Sequence, residues 1–105
     1  MPASDRAHLS ILVVGCGSIG QRHIGNLQSL GVDRISVCDT DPDRLASTVS
    51  EHGVVGHGDF KEALEASTPN AVIVCTPPLL HVPQALTAVR AGAHVFVEKP
   101  LSHSL

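Results

Sequence analysis

The sequence predicts an α/β domain: a doubly wound, open parallel sheet of five strands in the order 3-2-1-4-5, flanked by about four helices. Two observations lead there. Short apolar runs rich in Val and Ile alternate along the whole chain with longer, mixed segments of helical character. That is the pattern of strand–crossover–strand units with parallel strands and right-handed connections. The runs are also continuous instead of alternating with polar residues, as strands buried on both faces require.

Each element has its own signal. "HLSILVVG" (residues 8–15) is the first strand. A helix follows from Ile19 to Leu30, with Ile19, His23, Leu27 and Leu30 near helical spacing, and Gly31 ends it. "DRISVCD" (33–39) is the second strand. The second helix runs from about Pro42, a proline suited to a first turn, to about His52. "VVGH" (54–57) is a short third strand, and Asp59 caps "FKEALEA" as the third helix. "NAVIVC" (70–75) is the fourth strand and "TPP" its turn. Leu79 to Ala91 is the fourth helix, closed by Gly92, and "HVFVEK" (94–99) is the fifth strand. Pro83 is expected within the first turn or so of its helix, where a missing N–H is tolerated. No repeat, linker or low-complexity segment interrupts the chain, so residues 1–105 read as one unit.

Composition narrows the function classes. The 105 residues suit one domain, and 43% apolar content supports a packed core. Trp and Tyr are absent, so that core is built from Val, Ile, Leu and Ala. A net charge of −3 gives no basic footprint, which argues against a nucleic-acid partner. Cys16, Cys38 and Cys75 are odd in number and lack metal-like spacing, so a disulfide framework is not expected and a reducing compartment, the cytoplasm, fits best. "VVGC", ending at Cys16, looks like a lipoprotein cleavage site, but Asp5 offsets Arg6, and His8 and Ser10 interrupt the apolar stretch that a secretory segment needs. No run approaches the roughly 20 apolar residues that span a bilayer, so no membrane partner is expected. Seven histidines raise the question of metal, yet no two of them show the i, i+4 arrangement with a carboxylate that marks a helical zinc site, and no metal site is expected. Cys75 precedes a helix N-terminus that would favour a thiolate, although a small buried residue at a strand end is the simpler reading.

The chemistry concentrates at three places. Gly15, Gly17 and Gly20 make G-x-G-x-x-G, a weak signal alone but one that here follows a strand and opens a helix. Gly15 allows the tight turn, Gly17 lets the backbone approach a pyrophosphate, and Gly20 permits close helix-on-strand packing. Ser18 and Ile19 complete the cradle, where a helix N-terminus offers free N–H groups and partial positive charge to phosphate. The second place is Asp39, 19 residues beyond Gly20 at the end of the second strand. A carboxylate there accepts hydrogen bonds from both hydroxyls of an adenosine ribose. It also repels the extra phosphate of NADP by roughly 3 kcal/mol per unit charge at ~5 Å, about a hundredfold in affinity. NAD is therefore favoured, with Arg44 leaving room for NADP. The competing role for Asp39 is a helix cap, which Asp41 could equally supply. The third place is the sheet edge formed by Thr76, Pro77, Glu98 and Lys99, beside the topological switch point where open α/β sheets bind ligands. A charged pair ending a buried strand is ordinarily the strand surfacing into water, so spacing alone leaves Lys99 open. Arg22, in the first helical turn, could face solvent or a phosphate.

Taken together, "VVGCGSIGQRHIGNL", "CDTDPDR", "TPPLLHVPQAL" and "AGAHVFVEKPLS" resemble, in this order, the glucose–fructose oxidoreductase, inositol dehydrogenase and MocA-like family (Gfo/Idh/MocA). The resemblance spans residues 9 to 103, and Glu98-Lys99-Pro100 after "AGAHVFV" is its most specific part. It implies a Rossmann domain binding NAD or NADP, with the glycine loop under the pyrophosphate. Thr76 and Pro77 would line the cofactor cleft, with His81 nearby. Glu98 and Lys99 would reach toward the nicotinamide ribose and the substrate, a sugar, cyclitol or sugar derivative. The implied reaction is reversible hydride transfer between a secondary alcohol carbon and the nicotinamide, with Lys99 hydrogen-bonding the reacting oxygen or holding the ribose. In such a family the proton-handling residue, often a His, belongs to a second domain. The chain stops at Leu105, just past the fifth strand. Cofactor binding without turnover is therefore the expectation, as is association through an exposed fifth-strand edge.

Two other readings compete. "VVGCGS" also looks similar to an S-adenosylmethionine-dependent methyltransferase loop, although Ile19 and Val13 stand where that loop wants glycine and an acid. A non-catalytic dinucleotide-sensing module, transmitting occupancy to a partner chain, is the alternative from a different class.

Overall fold

The computed structural model describes residues 9–76 and 78–98, with the backbone alone for residues 78, 79, 81 and 82. Strand β1 (Ser10–Val14) leads into helix α1 (Ser18–Ser29), β2 (Arg34–Cys38) into α2 (Pro42–His52), and β3 (Val55–His57) into α3 (Phe60–Ser67). Then β4 (Ala71–Val74) leads into α4 (Pro78–Arg90), and β5 (His94–Val97) follows. All strand pairs are parallel, in the order β3-β2-β1-β4-β5. The predicted fold class, strand order and helix number are those observed.

Burial on both faces explains the continuous apolar runs. Ile11 and Val13 of β1 join Ile24, Ile35, Val37 and Ile73 in one core, against which Leu27, Leu45 and Val49 of α1 and α2 pack. Leu12 and Val14 point the other way, to Val72 and Val74, Ala63 and Leu64 of α3, and Ala88 of α4. Two helices thus cover each face, as crossovers of one hand require when the strand order reverses at β1. Strand β5 is the margin of the sheet, with Phe96 74% and Val97 41% exposed.

Local sequence fixes the helix starts. The Asp41 carboxylate accepts from the Asp43 and Arg44 N–H groups and caps α2, with Pro42 in its first turn. The Asp59 carboxylate accepts from the Glu62 N–H and caps α3. Helix α4 differs from expectation: it begins at Pro78, so Pro83 lies inside it and forfeits one intrahelical hydrogen bond.

Helix α1 also departs from the predicted stripe. Its buried residues are Gly20 and Ile24, while Leu30 caps the end and is 58% exposed. Gly20 sets this rotation. A Cβ there would run into the Gly15 carbonyl oxygen, so the helix turns its glycine toward β1 and comes close. The hydrophobic spacing alone would have placed Ile19 inward. Gly15 is constrained as well: its φ is 99°, and a Cβ would lie 2.9 Å from the Cys75 carbonyl oxygen.

Because the neighbour of Gly20 is backbone and cannot rotate away, Gly20→Ala should lower stability by about 2–4 kcal/mol. Urea denaturation followed by circular dichroism checks this; an unchanged midpoint would mean that α1 does not need its close seat on β1.

Candidate functional site

Strand register builds the site. Val14 pairs with Cys38 and with Val74, and Val74 with Val97. The next residues in each strand, Gly15, Asp39, Cys75 and Glu98, therefore emerge along one carboxyl edge of the sheet. Hydrogen bonds carry the ladder that one step further: Gly15 N–H to Cys38 O at 2.8 Å, Cys75 N–H to Val14 O at 2.7 Å, and Glu98 N–H to Val74 O at 2.9 Å. Beyond this edge lies a cleft of about 390 Å³. Gly15 and Gly17 form its floor, Asp39, Thr40 and Arg44 one wall, and Cys75 and Thr76 with Leu80 and Gln84 of α4 the other.

The glycine loop is open on the ligand side. Gly17 precedes α1 with ordinary φ of −73° and supplies no side-chain cap. Among the described residues, the backbone N–H groups of Gly17, Ser18, Ile19 and Gly20 have no hydrogen-bond partner. Such a cluster of unpaired donors at a helix start is a seat for an anion. A Cβ at Gly17 would meet no atom of the described residues within 4 Å beyond its chain neighbours, which leaves space beside it for a ligand. These residues fit a dinucleotide diphosphate.

Asp39 is the electrostatic centre. Its Oδ2 accepts from the Cys16 N–H and from Arg44 Nε, both at 2.8 Å. Its Oδ1 accepts from the Asp41 N–H at 2.9 Å and from Arg44 Nη2 at 3.0 Å. Asp39 is thus not the cap of α2, a role Asp41 takes. It joins the glycine loop to the end of β2. Burial alone would raise its carboxyl. Hydrogen bonds from Arg44, Asp41 and Cys16, together with the guanidinium charge, outweigh burial and hold it below the ordinary 3.8.

The three cysteines are free thiols. Burial pushes Cys38 up to about 12, helped by nearby Cys16, Asp59 and Asp39. Burial likewise pushes Cys75 up to about 11, with Glu98 and Cys16 adding to it. Burial raises Cys16 too. Burial thus favours the protonated thiol at all three, which fits the reading of Cys75 as a small strand-end residue.

On the far wall, the Thr76 hydroxyl contacts Gln84 Oε1 at 2.6 Å. Glu98 Oε2 lies 2.6 Å from His23 Nε2, tying the end of β5 to α1. Sequence reasoning did not assign roles to Gln84 or His23. A polar residue on the sheet-facing side of α1 was the signal that His23 offered. His81 lies on α4, but its side chain, like Pro77 and Lys99, lies outside the described residues.

The comparisons with known proteins agree with this geometry. A family model described as an oxidoreductase family with an NAD-binding Rossmann fold, GFO_IDH_MocA, matches residues 9–105. A 4-carboxy-2-hydroxymuconate-6-semialdehyde dehydrogenase of Sphingobium sp. is 35% identical over 98 residues, covering 91% of this chain and 31% of the relative. An inositol 2-dehydrogenase of Burkholderia cenocepacia is 37% identical over 98 residues, covering 90% of this chain and 29% of its own length. The WlbA dehydrogenase of Chromobacterium violaceum, solved with NADH and UDP-GlcNAcA, superposes with a TM-score of 0.78 at 36% identity. That alignment covers 90% of this chain and 28% of that one. The chain therefore spans about 30% of the length of the curated relatives it matches.

A carboxyl held low in the folded state stabilises the fold above its unfolded value and loses that contribution as pH falls through its folded value. Asp39→Asn should therefore cost on the order of 2 kcal/mol at neutral pH. The difference from the parent should shrink as pH drops below 3.8. Urea titrations of both proteins across pH 3–7 measure this; equal stabilities at neutral pH would remove Asp39 from its central place.

Proposed function

The chain belongs to the Gfo/Idh/MocA oxidoreductase family as its NAD-binding Rossmann domain, and from that premise we propose that it is the cofactor-holding portion of a dehydrogenase acting on a secondary alcohol of a sugar, cyclitol or sugar derivative. The relatives named for inositol and crystallised with a UDP-sugar acid support the substrate class. The observation that carries the cofactor reading is the set of N–H groups from Gly17 to Gly20, without partners among the described residues, beside an open cleft. When bound, the nicotinamide supplies the acceptor or donor of a hydride.

The chain's own residues have distinct tasks in this proposal. Gly15, Gly17, Ser18, Ile19 and Gly20 hold the diphosphate through backbone amides. Asp39 and its neighbours stand at the adenosine ribose. Thr76, Pro77 and His81 line the cleft toward the nicotinamide. Glu98, positioned by His23, takes the ribose on that side, and Lys99 next to it hydrogen-bonds the reacting oxygen. Residues 1–105 are assigned to this one domain, with substrate contacts and the proton-handling group supplied by a second domain. Positioning both partners of a hydride transfer requires that second part, so cofactor binding without turnover is expected of residues 1–105.

Among the described residues no helix is long and apolar enough to cross a membrane. Three unpaired cysteines support a cytoplasmic location. The margin of β5, with Phe96 and Val97 exposed, supports association between copies through that edge.

Calorimetry with NADH tests the cofactor reading. The parent should release heat on binding, and Gly17→Ala, whose Cβ meets no atom of the described residues beyond its chain neighbours, should stay folded while binding at least about tenfold more weakly. No heat from the parent would overturn the proposal. Sedimentation over a dilution series tests the edge: a concentration-dependent mass is expected, and a dilution-resistant monomer would rule association out.

A further inference from the structure

The two peptide planes that flank Gly17 are both held by their carbonyls, and one residue holds both. The Cys16 carbonyl accepts from the side-chain amide of Gln21, with Nε2 3.0 Å from the oxygen. The Gly17 carbonyl accepts from the Gln21 backbone N–H at 2.9 Å. Gln21 is half-buried and ends the first turn of α1. Among the described residues no peptide is cis, and in a trans peptide the N–H points opposite to the carbonyl of its own plane. The grip of Gln21 therefore turns the N–H groups of Gly17 and Ser18 away from itself. Neither has a partner among the described residues, and Gly17 lines the cleft.

We infer that Gln21 is a positioning residue whose side-chain amide holds the Cys16–Gly17 peptide in the orientation that presents the Gly17 N–H to a diphosphate. The inference rests on the dinucleotide reading above and deepens it. The need for such a grip comes from the loop itself. This plane turns about ψ of Cys16 and φ of Gly17, and glycine takes positive φ about as readily as negative. The space beside Gly17 is open as well, so sterics alone offer little resistance to a turn. A reversed plane would aim the Cys16 carbonyl, with its partial negative charge, at the place a phosphate must occupy. Neighbouring restraints act elsewhere. The Cys16 N–H is fixed on Asp39 Oδ2, which orients the preceding plane. The backbone bond from Gln21 to the Gly17 carbonyl orients the following plane and survives any side chain at that position. The plane between them is the one that the Gln21 side chain governs.

The test compares the parent with Gln21→Met, which is similar in length but carries no donor, and with Gln21→Asn, whose shorter stem draws the amide out of reach. Each is titrated with NADH by calorimetry, folding being checked by circular dichroism. Both variants should bind about fivefold more weakly, as expected for one lost hydrogen bond. A merely structural role would also weaken binding, so the amides are read directly. In nitrogen–proton correlation spectra with saturating ADP, the Gly17 amide proton of the parent should move downfield as it meets a phosphate oxygen. In the variants that shift should shrink, while the shift of Gly20, whose peptide plane Gln21 does not hold, persists. If Gln21→Met fails to fold, Gln21→Asn decides. Affinity equal to that of the parent, or weaker binding with the Gly17 shift intact, overturns the inference. A parent that takes up neither NADH nor ADP defeats the dinucleotide reading itself and this inference with it.

Discussion

The structure depends on how closely α1 approaches β1. Gly20 faces the Gly15 carbonyl so tightly that no side chain fits between them, and this contact decides which way the helix is turned. The rotation buries Ile24 against β1 and its neighbours. It also leaves the first amides of the helix without an acceptor among the described residues. A looser seat would let a side chain or a tilted carbonyl fill that place. The capacity to hold an anion is therefore a by-product of packing, enforced from behind by the sheet.

The second constraint is register. Because β1, β2, β4 and β5 end level with one another, residues far apart in sequence arrive at one edge without any long loop to carry them. Gly15, Asp39 and Cys75 are held at that edge by backbone hydrogen bonds to Cys38, His57 and Val14 of the neighbouring strands. The cysteine thiols serve this compactness. Cys16 and Cys38 are fully enclosed, and burial keeps them protonated, so sulfur here behaves as a small apolar filler.

Much of this was legible in the sequence. Apolar runs without alternation announced a sheet covered on both faces, and glycine spacing after the first run located the turn that faces the ligand. Asp39 was visible because its distance from the last glycine places it at the end of the next strand. Asp41 and Asp59 were readable as caps because they sit just before periodic segments. What was not legible depends on rotation and reach. The stripe of α1 was displaced because a glycine, which carries no hydrophobicity, dictated its inward face. The fork of Arg44 on Asp39 needs a side-chain conformation that the four intervening residues do not determine. The contact of His23 with Glu98 joins positions 75 residues apart, and only the completed sheet brings them together. Pro83 was misplaced because the helix start shifted by one residue.

Asp39 receives donors from three separate pieces of chain: the loop at Cys16, the turn at Asp41 and the helix at Arg44. A hub of this kind fixes the loop's shape during folding, before any ligand arrives. Little conformational freedom then remains to be lost on association, so the strength of contacts in the complex is retained instead of being offset by ordering. Kinetically, a preorganised cradle of this sort is limited in its encounter mainly by diffusion and orientation, and differences between ligands are felt in how long each one stays.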